Sequence, residues 1–244
     1  LIYDSGFKIL NGFHPFKDYW SITGPFLDYT QYLFFSIFDV NWFSYVLHST
    51  IINSLLSIFI YYFFYKIGLN YFLSFLYSLG ISLLAYPSAG TPFMDHHAVI
   101  FSLISICFLT LAILHEKKIY WFLFPFFLIF SFFSKQIPSA YLSLAILLIL
   151  LFHFFYIQKR KYRNFFVLLM GSFVSILFIY FIFIVNKIPI NNFLIQYIFY
   201  PLSLGNERIQ DLSLDIDNTI GQFKFIFLSL IPLGIVSIIV GIKK

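Results

Sequence analysis

The chain of 244 residues is 61% hydrophobic and 24% aromatic, carries only 10% charged residues and has a formal net charge of +5. So few charges among so many Leu, Ile and Phe residues exclude an ordinary soluble domain. They predict an all-α, polytopic transmembrane helix bundle, since each crossing of a bilayer core about 30 Å thick takes roughly 20 apolar residues. The single cysteine, Cys107, excludes a disulfide framework. The abundant Phe and Tyr residues read as lipid-facing bulk and not as a base-stacking platform, so nucleic acid is not an expected partner.

Residues 1–41 mix aromatics with Asp4, Lys8, His14, Lys17, Asp18, Asp28 and Asp39, and Gly6, Gly12, Pro15, Gly24 and Pro25 punctuate them. This pattern predicts an outer loop, with an amphipathic helix at 26–38 lying on the membrane surface. Six transmembrane helices follow within 42–185, at 42–65, 71–86, 98–114, 119–134, 139–157 and 165–185. A second polar loop, 186–222, precedes a seventh span at 223–242, which closes the chain at 244. The chain begins at Leu1, not Met, and its opening residues do not read as a signal peptide. It is therefore expected to be a fragment whose first membrane helix lies upstream.

Orientation follows from the basic residues, which gather on the cytoplasmic side. Alternate loops hold Lys66, Lys117 and Lys118, the Lys159–Arg163 run, and Lys243 with Lys244, against the lone acid Glu116. The opposite face carries the other nine acids. The two faces sum to +8 and −3. Residues 1–41 therefore face away from the cytoplasm, in a multi-pass inner (plasma) membrane protein whose working side is periplasmic.

That outer side collects the polar chemistry. Asp4 and Asp18 come from the first loop, Asp95-His96-His97 from the turn after the second span, and Lys135-Gln136 from the turn after the fourth. Arg208 comes from the late loop. The spans ending near Tyr86 and Ser134 are short, which recesses Asp95 and Lys135 toward the hydrocarbon, where charge needs a partner or a task. Each residue also has a plainer role. Asp95 would cap the helix it opens, Lys135 would snorkel to the interface, and Arg208 would be solvated. His96 and His97 are adjacent and splay about 100° apart on a helix, so one serves a site while the other packs. His48, His115 and His153 read as packing or interface residues.

Asp4, in Tyr3-Asp4-Ser5-Gly6-Phe7, is followed by Gly12-Phe13-His14-Pro15-Phe16-Lys17-Asp18-Tyr19-Trp20. An acid early in the first outer loop and then this segment resembles the polyprenyl-phosphate-dependent glycosyltransferases of the GT-C fold. The bacterial members similar to protein mannosyltransferases and lipid A aminoarabinose transferases come nearest. The Asp95-His96-His97 and Lys135-Gln136 turns are similar to later motifs of that superfamily. The likeness covers roughly the first 140 residues, and the remainder fits by pattern only. Several relatives have Asp-Glu where this chain has Asp4-Ser5, and family members run longer.

The resemblance implies a GT-C-like bundle that moves a sugar from a polyprenyl-phosphate donor to an envelope glycan, lipid or protein acceptor, with membrane lipid as a further partner. Asp4 is the expected base. Lys135 and Arg208 would neutralise the leaving phosphate. Lys17, Asp18 and Gln136 would bind substrate or pin the loop. Asp95 with His96 or His97 would hold the loop or a divalent metal, and such ligands suit Mg, Mn or Zn alike. The rival expectation is a transporter or flippase without glycosyl transfer. Transporters place charge at the midplane, whereas the charges here gather at one rim.

Overall fold

The computed structural model describes residues 1–157, 162–204 and 216–242. It divides into two units, Leu1–Pro201 and Leu202–Lys244. Among the described residues the structure is helical with no strand, and only an isolated bridge joins Pro15 to Tyr19. The first unit contains α1 (Ile2–Leu10), α2 (Pro25–Phe38), α3 (Trp42–Lys66), α4 (Tyr71–Ala85), α5 (Met94–His115), α6 (Lys118–Ser134), α7 (Gln136–Phe152), α8 (Tyr162–Val185) and the short α9 (Ile190–Phe193). A wider π-type turn extends α7 over His153–Ile157, and another extends α9 over Leu194–Phe199. The second unit contains α10 (Ile216–Ile242), with Pro232 inside it and Phe225, Leu228 and Ile238 on its exposed surface.

Local chemistry sets the ends of these helices. The Asn41 side chain accepts from the Ser44 N–H and the Asn70 side chain from the Leu73 N–H, so each caps its helix. Pro25 starts α2 at a position where its missing N–H costs nothing. Glu116, at φ 53°, turns the chain between α5 and α6 in the left-handed region. Three helices, α3, α5 and α8, are long and apolar enough to cross a membrane. Shorter apolar stretches occupy Tyr71–Ala85, Lys118–Ser134, Ser139–Phe155 and Phe223–Val236. The chain is thus an all-helical, membrane-associated protein.

The core forms where α3, α5, α6 and α8 meet, around Leu56, Ile60, Leu111, Ala112, Trp121 and Leu168. Small residues let these helices approach closely, as packing within a bilayer favours. Ser131 Oγ donates to the Ala98 carbonyl at 2.7 Å and lies 2.7 Å from Ser102 Oγ, which stitches α6 to α5. A Cβ on Gly171 would stand 2.3 Å from the Phe122 carbonyl, so the contact between α8 and α6 exists only because that residue is glycine.

The predicted first loop contains more structure than its composition suggested. Residues 2–10 form α1, which buries Ile2, Ser5, Gly6 and Ile9. That spacing is a helical face, concealed in the sequence because two of its members are Ser and Gly. Gly6 abuts the Gln31 side chain, so α1 packs directly on α2. In turn α2 is more than a surface helix, because it buries Leu27, Asp28, Gln31 and Phe35. Two further boundaries move outward: α5 begins at Met94 and α10 at Ile216, ahead of the predicted 98 and 223.

Candidate functional site

Three segments distant in sequence are tied together beside the junction of α6 and α7. The Gln136 amide donates to the carbonyls of Ile22 (3.1 Å) and Tyr197 (3.0 Å). The Ser21 N–H donates to Gln196 Oε1 at 2.9 Å, and Asn192 Nδ2 donates to the Phe16 carbonyl at 2.9 Å. A Cβ on Gly24 would lie 1.9 Å from the Phe133 carbonyl, so only glycine lets the first loop lie this close to α6. Phe16 takes the left-handed region at φ 66°, and its fully buried ring packs edge-on against Phe193 and Tyr197. Burial of the ring offsets the cost of that backbone conformation.

At this junction Lys135 Nζ donates to Asp95 Oδ1 at 2.5 Å, with side chains 37% and 43% exposed. The pair brings together two predicted site residues forty positions apart. The capping reading of Asp95 gives way to it. Asp95 lies in the first turn of α5, where Phe93 is the N-cap and no side chain caps the helix. The ammonium of Lys135 is held by a carboxylate.

The expected metal trio does not converge on one point. Asp95 goes to Lys135, His96 Nε2 goes to the Ala85 carbonyl, and the His97 Nδ1–H donates to the Phe93 carbonyl at 3.0 Å. Among the described residues no group of three or more His, Cys, Asp or Glu side chains is placed to hold a metal ion.

Asp4 sits in the first turn of α1 and forms an ion pair with Lys8 at 2.8 Å, one helical turn on. This corrects the expectation that Asp4 is a loop residue, and gives it an ion-pair partner. Lys8 also lies over the Tyr19 ring, 5.0 Å from its centroid. The Tyr45 hydroxyl has the Thr91 side chain and the Tyr3 backbone as neighbours, which brings α1 up to the segment preceding α5. Asp18 serves its own turn. Its Oδ2 accepts from the His14 N–H at 2.8 Å, with Lys17 Nζ 3.9 Å away. Burial, reinforced by Lys17, lowers the His14 pKa from its ordinary value, and its Nδ1 lies 3.1 Å from the Tyr29 hydroxyl. Arg208 lies outside the described residues.

The sequence reading missed the burial of Asp28 and the partner of His48. Asp28 is fully buried between α1 and α2, where burial pushes its carboxyl up to about 7 against the pull of the Ser5 side chain. Burial and the nearby Asp28 also raise the hydroxyl pKa values of Tyr19 and Tyr29. His48, read as a packing residue, is wholly buried and lies 2.9 Å through Nδ1 from Gln31 Oε1. The position of Asp28 in a helix starting at Pro25, next to apolar Leu27, was the available signal.

An apolar cleft of about 140 Å³ adjoins this region, lined by Phe26, Tyr29 and Leu33 of α2, Phe133 of α6, and Phe178 and Phe183 of α8. Tyr29 belongs to both the cleft and the polar contact with His14. Comparison with known proteins finds no matching family model, no similar curated protein and no similar solved structure.

Proposed function

We propose that the chain is a multi-pass membrane glycosyltransferase of GT-C type, moving a sugar from a polyprenyl-phosphate donor to an envelope acceptor on the periplasmic face. In this reading the three long helices and the four shorter apolar stretches make up seven spans, oriented by the excess of Lys and Arg on one side. The observation that carries the proposal is the Asp95–Lys135 pair. It joins a carboxylate and a cation from separate spans at a half-exposed rim, close to loops tied to the same junction by Gln136. The apolar cleft beside it supports a donor with a hydrocarbon tail.

In the proposed reaction Asp4 takes the proton of the acceptor hydroxyl. The freed oxygen attacks the anomeric carbon as the bond from that carbon to the phosphate oxygen breaks. The leaving phosphate carries the displaced electron pair, and Lys135 neutralises its growing charge. Lys8 holds the Asp4 side chain in place, while Asp95 keeps the Lys135 ammonium at the rim until phosphate arrives. Gln136, Asp18 and Lys17 shape the loop around the substrate.

The test assays the full chain for transfer from a polyprenyl-phosphate sugar, with donor binding measured in parallel. Asp4→Asn is expected to lower turnover by about 10²–10⁴ while leaving donor binding intact. Transfer at the parental rate in Asp4→Asn would remove Asp4 from the chemistry. A parent that moves a lipid or solute across vesicles but transfers no sugar would establish the transporter reading instead.

A further inference from the structure

Where α3, α5 and α6 meet, positive charge gathers among tyrosines for which the proposed transfer has no use. Lys66 closes α3, and Lys117 and Lys118 stand at the start of α6. His115, the last residue of α5, ties these ends together, since its Nε2–H donates to the Lys66 carbonyl at 3.1 Å. Glu116 is the acid of this turn, and the three lysines outweigh it. Among the described residues none of the three takes part in an ion pair. An ammonium with no carboxylate beside it leaves its field open to an external anion.

The tyrosines supply hydrogen-bond donors beside this charge. Lys66 Nζ lies 5.4 Å from the ring centroid of Tyr62 and 5.8 Å from that of Tyr65, contacts that hold the ammonium against α3. The Tyr62 hydroxyl is 2.7 Å from that of Tyr120, and the Tyr65 hydroxyl is 3.3 Å from that of Tyr71. Two hydroxyls in contact use one hydrogen between them and keep the other for a further acceptor. Tyr120 is buried and Tyr62 is exposed, so the remaining hydrogen of that pair belongs on Tyr62. A cation flanked by two O–H donors matches the oxygens of a phosphate diester. Apolar surface continues from this point. Leu55, Ile58, Tyr62 and Tyr65 recur at helical spacing along α3 and are all exposed, as are Phe72 and Leu76 on α4.

We infer that this end of the bundle binds an anionic phospholipid. Lys66 and the Tyr62 and Tyr65 hydroxyls hold its phosphate, Lys117 and Lys118 add attraction for its net charge, and its chains lie along the exposed faces of α3 and α4. Tyrosine rings alone would anchor the protein at any membrane surface. The lysines make the site selective, because a zwitterionic headgroup brings a cation of its own against them. The inference rests on the membrane-associated fold and is independent of glycosyl transfer, because lipid retention is read without turnover.

The experiment titrates the full chain, in a nonionic detergent, with phosphatidylglycerol or with phosphatidylcholine of the same chains. Native mass spectrometry counts the lipid retained. The parent is expected to hold one phosphatidylglycerol about tenfold or more tightly than phosphatidylcholine. A lysine near a charged headgroup is worth about fivefold in affinity, so Lys66→Gln should weaken retention by about that factor. Replacing Lys66, Lys117 and Lys118 together by Gln should weaken it about thirtyfold or more. Tyr62→Phe combined with Tyr65→Phe keeps every charge and ring and should still weaken it several-fold. Lys187→Gln, beyond the end of α8, should leave it unchanged. Helix content by circular dichroism identifies any variant that fails to fold. The comparison of lipids, and a competition with millimolar glycerol 3-phosphate, use the parent and stand regardless. Equal retention of the two lipids would overturn the assignment, as would losses that follow the lysines but not the tyrosine hydroxyls. Displacement of the lipid by glycerol 3-phosphate would also overturn it, and would make the ligand a soluble phosphate.

Discussion

Two carboxylates on neighbouring helices show how differently this protein treats charge. Asp4, on the open side of α1, is largely exposed and paired with Lys8. Asp28, on the face of α2 that meets α1, is buried, and among the described residues one of its oxygens has no hydrogen-bond partner. Surface ion pairs contribute little to stability because water already solvates both members. A buried carboxyl instead stays folded by keeping its proton. The exposed pairs Asp4–Lys8 and Asp95–Lys135 can therefore carry chemistry at little cost to the fold. The buried layer of Asp28, Gln31 and His48 decides whether α1, α2 and α3 stay together.

The largest expected effect concerns Asp28. Its folded pKa, about 7, lies above its ordinary value of 3.8, so the folded chain holds a proton that the unfolded chain releases. Its stabilising contribution is fully present below 3.8 and is lost as the pH rises toward about 7. Thermal unfolding in micelles across that window should show a loss of a few kcal/mol, and Asp28→Asn should flatten the profile. A parental profile already flat between these values would show that Asp28 is solvated or paired.

Next comes Gln31. Gln31→Leu keeps the volume but strands the His48 Nδ1–H inside the bundle, at a cost of about 1–3 kcal/mol. Gln31→Glu, which retains an acceptor, should recover part of it at acidic pH. Equal melting temperatures for Gln31→Leu and the parent would remove the buried layer from the stability account.

The rim should behave in the opposite way. Lys135→Ala is expected to cost less than about 1 kcal/mol, because both members of its pair are more than a third exposed. Donor-dependent turnover in the same variant should fall about 10²–10³-fold if Lys135 meets the leaving phosphate. A large drop in stability with unchanged turnover would make the Asp95–Lys135 pair a structural strut. The smallest effect is at Lys8: Lys8→Ala should change stability by about 0.3–0.5 kcal/mol, the usual worth of an exposed pair one helical turn apart. A larger change, read by the same melts, would point to the Lys8 contact with the Tyr19 ring as the stronger tie.

Hydropathy alone determined that this chain is helical and built for a membrane, and it located most of the long helices to within a few residues. It could do so because desolvating an unpaired backbone is costly enough to force helix formation wherever apolar residues run on. The same cost confines charge to the ends of the long helices, which made the meeting of Asp95 and Lys135 legible as a shared side. Only the tertiary structure decided which of those polar residues touch and which are buried. α1 escaped the sequence reading because Ser5 and Gly6 form part of its packed face and carry no hydrophobic signal. The burial of Asp28 and the Gln31 partner of His48 escaped it because both depend on what packs across from a polar side chain. For these two the facing surfaces come from α1, α2 and α5, segments up to about ninety residues apart in the chain.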